Sequence, residues 1–408
     1  MQDEQHQRLI QHYTQVLIHN EWAIDHHAVQ ILKRLKDARY EAYLVGGGVR
    51  DLLVNIKPKD FDIATSALPQ EVKKKVSNSF IIGRRFKLVH AKRGDAIYEI
   101  ATYRRAATSE ELVTAEEDDL RHVEENFFGN IDEDSFRRDF TINSLYYDPI
   151  DKKIVDRCNG LYDIDHRMLR MIGDPEARLR EDPIRILRAI RLSQKLGFSI
   201  EPELRKQIRL LAPELKKTAL PRRREEWIKF LRLPQADMAL MELFDLGIME
   251  QILPNLHMLF ENHAQREDFL CSIRQISYIG FDLSDTTELY SALLIAFLAQ
   301  HKTPEVTFET LINNENFILF CRDELGVFKA EIASFVQALQ VIRPIQNVEA
   351  YMKRGERRKR SFVANMSFFL ALKLGFLSGQ IDIQELHFWL NEHKTLLGSD
   401  LARETTPE

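Results

Sequence analysis

Asp60 and Asp62 flank Phe61 in the stretch Lys59-Asp60-Phe61-Asp62-Ile63. In an extended strand, residues two apart point to the same side, so both carboxylates share one face while Phe61 and Ile63 turn toward a core. Hard oxygen donors in that arrangement suit divalent cations such as magnesium. Phosphoryl transfer uses two such ions about 3.5–4 Å apart, one activating an attacking hydroxyl and the other steadying the leaving oxygen. Because an isolated Asp-x-Asp is more often an exposed strand edge, the surrounding residues must carry the assignment. Glu99 is the one acid in the otherwise apolar run Ile97-Tyr98-Glu99-Ile100-Ala101-Thr102. It is a candidate third ligand, with pairing to Arg104 as the competing structural explanation.

Shortly before the aspartates, a strand-like segment at 42–45 runs into Gly46-Gly47-Gly48 and then Val49-Arg50-Asp51-Leu52, which opens a helix. Backbone amides at such a turn can cradle a triphosphate. It is neither a Walker loop, which ends in Gly-Lys-Ser or Gly-Lys-Thr, nor a dinucleotide fingerprint. Two later segments mix acid, base and amide groups with apolar anchors: Arg137-Arg138-Asp139-Phe140-Thr141-Ile142-Asn143 and Glu181-Asp182-Pro183-Ile184-Arg185-Ile186-Leu187-Arg188. Asp182-Pro183 is also a good helix start. Arg185 and Arg188, three apart, share a helical face, and a guanidinium can hydrogen-bond a base edge or a phosphate in a fixed plane. No serine or histidine arrangement supports a nucleophile and base pair, so hydrolysis is not the indicated chemistry.

These residues need elements to hold them. Periodicity predicts a helix at 27–36, strands at 42–45, 60–64, 80–82, 87–91 and 97–102, and a helix at 70–76, together a compact mixed α/β unit. The stretch 108–134 is acidic and poorly periodic and reads as a long loop. Beyond 156 strand signals nearly vanish, and helices are predicted at 183–196, 202–211, 223–232, 236–244, 288–299, 327–341 and 362–376. The fold class expected is α+β, a mixed sheet followed by helices.

At 408 residues two or more packed units are the default, and 44% hydrophobic with 29% charged residues is an ordinary globular balance. A net charge of -5 argues against a generic nucleic-acid coat. Positive charge is nevertheless concentrated at Lys73, Lys74, Lys75, Arg84, Arg85, Lys87, Lys92 and Arg93, and again at Lys353, Arg354, Arg357, Arg358, Lys359 and Arg360. Either run is a candidate phosphate contact or simply a solvated face. Three scattered cysteines indicate neither disulfides nor zinc. The longest apolar run, 289–299, is too short to span a bilayer, and the first 22 residues lack a secretory apolar segment, so a cytoplasmic protein with no membrane partner is expected.

Taken in order and spacing, Leu44-Val45-Gly46-Gly47-Gly48-Val49-Arg50-Asp51, Asp60-Phe61-Asp62, the 137–143 segment and Glu181-Asp182-Pro183-Ile184-Arg185 resemble the class II tRNA nucleotidyltransferase and bacterial poly(A) polymerase family. The resemblance is close over 31–198. It implies an Mg²⁺-dependent, untemplated enzyme with a nucleotidyltransferase head at 25–156 behind an N-terminal extension at 1–24. A helical neck at 157–232 and a helical, RNA-binding body and tail at 233–408 would follow. It further implies that Asp60 and Asp62 bind two catalytic magnesium ions, that Gly46, Gly47 and Arg50 hold the triphosphate, and that Asp139 sits by the ribose near Asn143. Glu181, Asp182 and Arg185 would read the base, with Arg138 and Arg188 as phosphate contacts. Arg84, Arg85, Lys87, Arg357, Arg358 and Arg360 are the RNA-contact candidates.

Within the family, Ile81-Ile82-Gly83-Arg84-Arg85-Phe86-Lys87-Leu88-Val89-His90 looks like the poly(A) polymerase branch, because Lys87 stands where the CCA-adding branch usually carries glycine. The stretches 170–176 and 354–360 point the same way. Expected partners are ATP and RNA 3′ ends, with an RNA chaperone or degradation machinery beside them. Two departures stand out, the acidity of 108–125 and the charged Leu220-Pro221-Arg222-Arg223-Arg224-Glu225-Glu226-Trp227, which is more apolar in relatives. A non-catalytic RNA-binding scaffold is the remaining alternative, but such a protein would be free to lose a carboxylate, and Asp60, Asp62 and Glu99 are all present.

Overall fold

The structure is a computed structural model that describes residues 2–83, 87–105, 127–302 and 307–398. It divides into two compact units, Met1–Arg178 with Gly197–Arg205, and Leu179–Leu196 with Lys206–Glu408.

The first unit is built on a seven-stranded sheet of β1 (Ala42–Val45), β2 (Asp62–Thr65), β3 (Ser79–Ile82), β4 (Leu88–Arg93), β5 (Ala96–Thr102), β6 (Leu145–Asp148) and β7 (Lys153–Asp156), in the order β3-β4-β5-β2-β1-β6-β7. All neighbours are antiparallel except β2 and β5. Helices α1 (Gln2–His19), α2 (His26–Asp37), α3 (Gly47–Leu53), α4 (Pro69–Lys75), α5 (Ile131–Phe136) and α6 (Gly160–Asp165) belong to the same unit. The spacing of Ala28, Ile31, Leu32 and Leu35, all buried, explains α2, and the Asp25 carboxylate caps it by accepting from the His27 amide.

The mixed sheet and its first five strands match the expectation to within a residue or two, with one consequence for the site. β2 starts at Asp62, so Asp60 precedes the strand, although the exposed-buried alternation through Asp60, Phe61, Asp62 and Ile63 is already that of extended chain. Two strands of this sheet were not expected. β6 is buried at all four positions and so shows no alternation, while β7 is only four residues long. The expected loop at 108–134 ends early, because Asn130 and Glu133 form a reciprocal cap that starts α5. Its portion at 108–126 lies outside the described residues. Helix α1, read from sequence as a polar lead, packs within this unit through buried Tyr13 and Leu17, with the Tyr13 hydroxyl donating to Asp165 at 3.3 Å.

A short parallel pair, β8 (Met168–Leu169) and β9 (Ser199–Ile200), also belongs to the first unit. Helix α7 (Pro175–Glu181) leads to α8 (Ile184–Leu196), α9 (Pro202–Leu211) and α10 (Leu220–Leu231), after which every described element is helical. Among the helices that escaped the sequence reading are Pro254–Glu261, His263–Ile279 and Ile383–Leu397. The second is polar along much of its length, and its ends are set by chain chemistry, an Asn262 cap and a left-handed Gly280 at φ 83°. Among the described residues no single helix is long and apolar enough to cross a membrane. The bent pair Glu356–Val363 and Phe368–Leu377 reaches that length and composition only when taken together.

Candidate active site

The sheet register brings the chemistry to one end of the central strands. Val45, the last residue of β1, pairs with Asp62 on one side and Tyr146 on the other. The parallel register of β2 and β5 sets Ile63 against Ile100, so one step back Asp62 is beside Glu99 on the open face.

Gly46 follows directly, at φ 74° and ψ -133°, a conformation strained for any side chain. A Cβ there would stand 3.7 Å from Arg138 Nη1 and 3.9 Å from Asp62 Oδ2, so the turn lies between the carboxylate and the guanidinium. At Gly48 the need is close approach, since a Cβ would sit 2.9 Å from the Asp60 carbonyl oxygen and 3.0 Å from the Phe61 ring. The glycine run therefore brings α3 against the segment that carries both aspartates.

Asp60 and Asp62 are exposed to solvent, with Asp62 partly desolvated by its surroundings. Its pKa is pushed up to about 6, first by the loss of surrounding water and then by the negative charges of Asp60 and Glu99, with Arg138 acting against the rise. Like charges are thus held together with too little positive charge to balance them. Two adjacent hard carboxylates with unmet demand for a cation fit magnesium in their donor chemistry. The third expected ligand is not part of a ready-made set. Among the described residues no three Asp, Glu, His or Cys side chains are gathered to hold a metal, and the half-exposed Glu99 carboxylate lies 3.4 Å from His90 Nε2. The partner considered from sequence, Arg104, is instead a buried residue.

Arg138 is fixed by residues that the sequence reading passed over. Its Nε and Nη2 donate to Asp134 Oδ2 at 3.2 and 2.9 Å, and Nε also reaches the Tyr146 hydroxyl at 3.1 Å. Burial disfavours its charge, but Tyr146 and Asp134 more than compensate, and its pKa lies above the ordinary guanidinium value. Burial likewise works against the Asp134 carboxylate, and Arg138 and Arg137 outweigh it, holding that carboxyl below the usual range. The i,i+4 spacing of Asp134 and Arg138 was the available sequence signal.

Arg50 does not project into the open. It is buried, donates to Asp51 Oδ1 at 2.9 and 2.6 Å, and donates to Asn143 Oδ1 at 2.6 Å. Asn143 Nδ2 in turn donates to Asp139 Oδ1 at 3.0 Å. A continuous chain therefore runs from the glycine turn to Asp139, which is not among the groups acting on Asp62. The turn Thr141–Asn143 is anchored by buried Phe140 and Ile142 and by the Thr141 hydroxyl, which donates to Asp163 at 2.6 Å.

In the second unit the Glu181-Asp182 segment and α8 carry the other candidates. Arg222 of α10 donates to both Asp182 oxygens, at 2.9 and 2.8 Å, and Arg185 donates to Glu181 at 2.7 Å. α8 begins at Ile184, and Asp182 is occupied by this two-pronged pairing, for which no sequence signal existed across 40 positions. Arg185 and Arg188 are half-buried on a helix whose other positions in that turn, Ile184, Ile186 and Leu187, are fully buried. Lys87, Arg357, Arg358 and Arg360 are exposed, the last three on the helix Glu356–Val363. Arg84 and Arg85 lie outside the described residues.

Comparison with known proteins adds to this geometry. Residues 42–170 match the family model described as the poly A polymerase head domain, and 197–260 match the one described as the probable RNA and SrmB-binding site of polymerase A. The chain is 41% identical over 244 residues to poly(A) polymerase I of Salmonella typhi, covering 59% of this chain and 52% of that protein. It is 38% identical over 329 residues to poly(A) polymerase I of Haemophilus influenzae (strain ATCC 51907 / DSM 11121 / KW20 / Rd), covering 78% of this chain and 72% of that one. The match to the Salmonella relative thus spans about half of its length. A CCA-adding enzyme of Lactobacillus helveticus is 38% identical over 225 residues, 55% of this chain and 54% of that protein. Among solved structures, the Bacillus stearothermophilus CCA-adding enzyme in complex with CTP superposes with a TM-score of 0.65 at 25% identity, covering 91% of this chain and 82% of that one.

Proposed function

The chain belongs to the poly(A) polymerase family of nucleotidyltransferases, and from that premise we propose that it adds AMP from ATP to RNA 3′ ends without a template. The observation that carries the reading is the setting of Asp62, where Asp60 and Glu99 add negative charge beside the glycine turn.

In this reading Asp60 and Asp62 would hold two magnesium ions. When bound, the metals supply charge neutralisation at the α-phosphate and lower the pKa of the attacking 3′-hydroxyl. The protein's own work is positioning. Gly46 and Gly47 leave room for the triphosphate to approach backbone, and Arg138, braced by Asp134 and Tyr146, turns Nη1 toward that space. Arg50 acts from beneath, fixing Asn143 and through it Asp139, the candidate ribose contact. Glu181, Asp182 and Arg185 are the base-reading candidates, Arg188 a further phosphate contact, and Arg84, Arg85, Lys87, Arg357, Arg358 and Arg360 RNA contacts. A cytoplasmic role in RNA turnover, alongside an RNA chaperone or degradation machinery, belongs to the same proposal.

The second reading is CCA addition to tRNA, favoured by the likeness to CCA-adding enzymes. A gel assay separates the two, with magnesium, an unstructured RNA and a tRNA lacking its CCA end, and ATP and CTP offered singly and together. A lengthening ladder on plain RNA with ATP alone is expected. CTP-dependent addition that stops after three nucleotides on the tRNA would overturn the proposal in favour of the second reading.

A further inference from the structure

A groove of about 630 Å³ opens beside Asp60, and none of the roles given above uses it. Its walls are the 3₁₀ turn Glu21–Ala23, the Asp25 and His26 lead into α2, the approach through Lys57, Pro58 and Lys59, and Ala96, Ile97 and Tyr98 of β5.

Its outermost feature is Trp22, which is 75% exposed, whereas Trp227 and Trp389 are buried. The turn that carries it is pinned on both sides. Asn20 donates to the Leu52 carbonyl at 2.9 Å and to Asn55 at 2.8 Å, while Glu21 accepts from the Tyr147 hydroxyl at 3.0 Å and pairs with Lys152. An indole kept in water on a rigid turn forgoes the stabilisation that burial would bring, and a flat aromatic face next to cations is the usual platform for an unpaired base. Ile97, also exposed, adds apolar surface. Lys57, Lys59 and His26 supply exposed donors, and among the described residues neither lysine has a carboxylate within ion-pair range.

The groove reaches the aspartate pair at Asp60, and the Gly46 turn reaches it at Asp62. Asp60 lines the groove, none of Gly46, Gly47 or Gly48 does, and Asp62 is the carboxylate that the Gly46 turn approaches. Transfer to a hydroxyl needs two substrates to converge on the carboxylates from two directions. We propose that the groove seats the 3′-terminal segment of single-stranded RNA, with a base stacked on Trp22 and backbone phosphates at Lys57 and Lys59. This rests on the polymerase reading for the identity of the second substrate.

Because Trp22 is the one exposed tryptophan of three, intrinsic fluorescence of the full-length protein reports on it directly. Titration with oligoadenylate, without magnesium or ATP, should give saturable quenching that is lost in Trp22→Leu. In elongation assays Trp22→Ala should raise the KM for RNA about tenfold with the KM for ATP unchanged, and Trp22→Phe should recover most of the loss. Lys57→Gln should weaken RNA binding and flatten its salt dependence, a readout that survives if the tryptophan variants fold poorly. Elongation by the wild type with no quenching of Trp22 would overturn the site and leave the polymerase reading standing. Quenching by RNA with no elongation would support the site and sink that reading. Quenching by ATP alone, or a matching rise in its KM, would overturn the site by making the groove a nucleotide pocket.

Discussion

The two units treat charge in opposite ways. In the first, Asp60 and Glu99 raise the cost of charging Asp62, and Arg138 offsets only part of it. Around the charged stretch of α10 three acid–base pairs are instead matched: Arg222 with Asp182, Arg191 with Glu226 at 2.6 Å, and Arg224 with Glu331 at 2.7 Å. Matched, hydrogen-bonded pairs fix side-chain direction and leave nothing to attract a ligand ion. An unmatched cluster is unfavourable by itself and becomes favourable when a cation arrives. The charged stretch 220–227 therefore has an internal use, as a set of braces.

The contrast can be broken at several points. The largest effect is expected in the head, where Asp62→Asn should lower nucleotide transfer by about a thousandfold or more while the melting temperature stays level or rises, since a like charge has been removed. Gel-based rates and circular dichroism melting check both halves, and an active variant would end the assignment. In the second unit the order reverses. Arg224→Ala leaves Glu331 buried and unpaired, both side chains being under 10% exposed, and should cost ~3–5 kcal/mol in urea unfolding. Replacing the pair together by Met and Leu should restore most of that stability.

Arg222→Ala is a milder test, because this arginine is half exposed. It frees Asp182 to rotate, so discrimination of ATP from CTP in kcat/KM should fall by about tenfold with little change in melting. Unchanged discrimination would make the pairing merely structural. The smallest effect concerns pH. Asp62 has its pKa raised to about 6, so the folded, metal-free protein binds a proton there more tightly than the unfolded chain does. Its contribution to stability is therefore present at low pH and lost as pH rises from about 4 through 6, and Asp62→Asn should remove that slope from a series of melts.

Much of this was legible in the residues, for physical reasons. Strand alternation around Phe61 and Ile63 announced that Asp60 and Asp62 face outward together, and the glycine triplet announced a turn, in which the structure adds the close approach of Gly48 to Asp60. What stayed hidden depends on distance along the chain or on total burial. Nothing local marks Arg222 as the partner of Asp182, and β6 carries no period because both its faces are covered. Arg50 illustrates a different limit. Its place in the motif suggested a phosphate contact, while its hydrogen bonds to Asp51 and Asn143 make it a support for Asp139.

The most direct test of the central claim, that the unmatched charge of the head exists to hold a cation, is a calorimetric titration of the metal-free protein with magnesium at pH 6 and pH 8. The account expects binding that weakens at pH 6, releases protons there, and disappears in both Asp60→Asn and Asp62→Asn. Binding of equal strength in those variants, or none in the wild type even with ATP present, would contradict it.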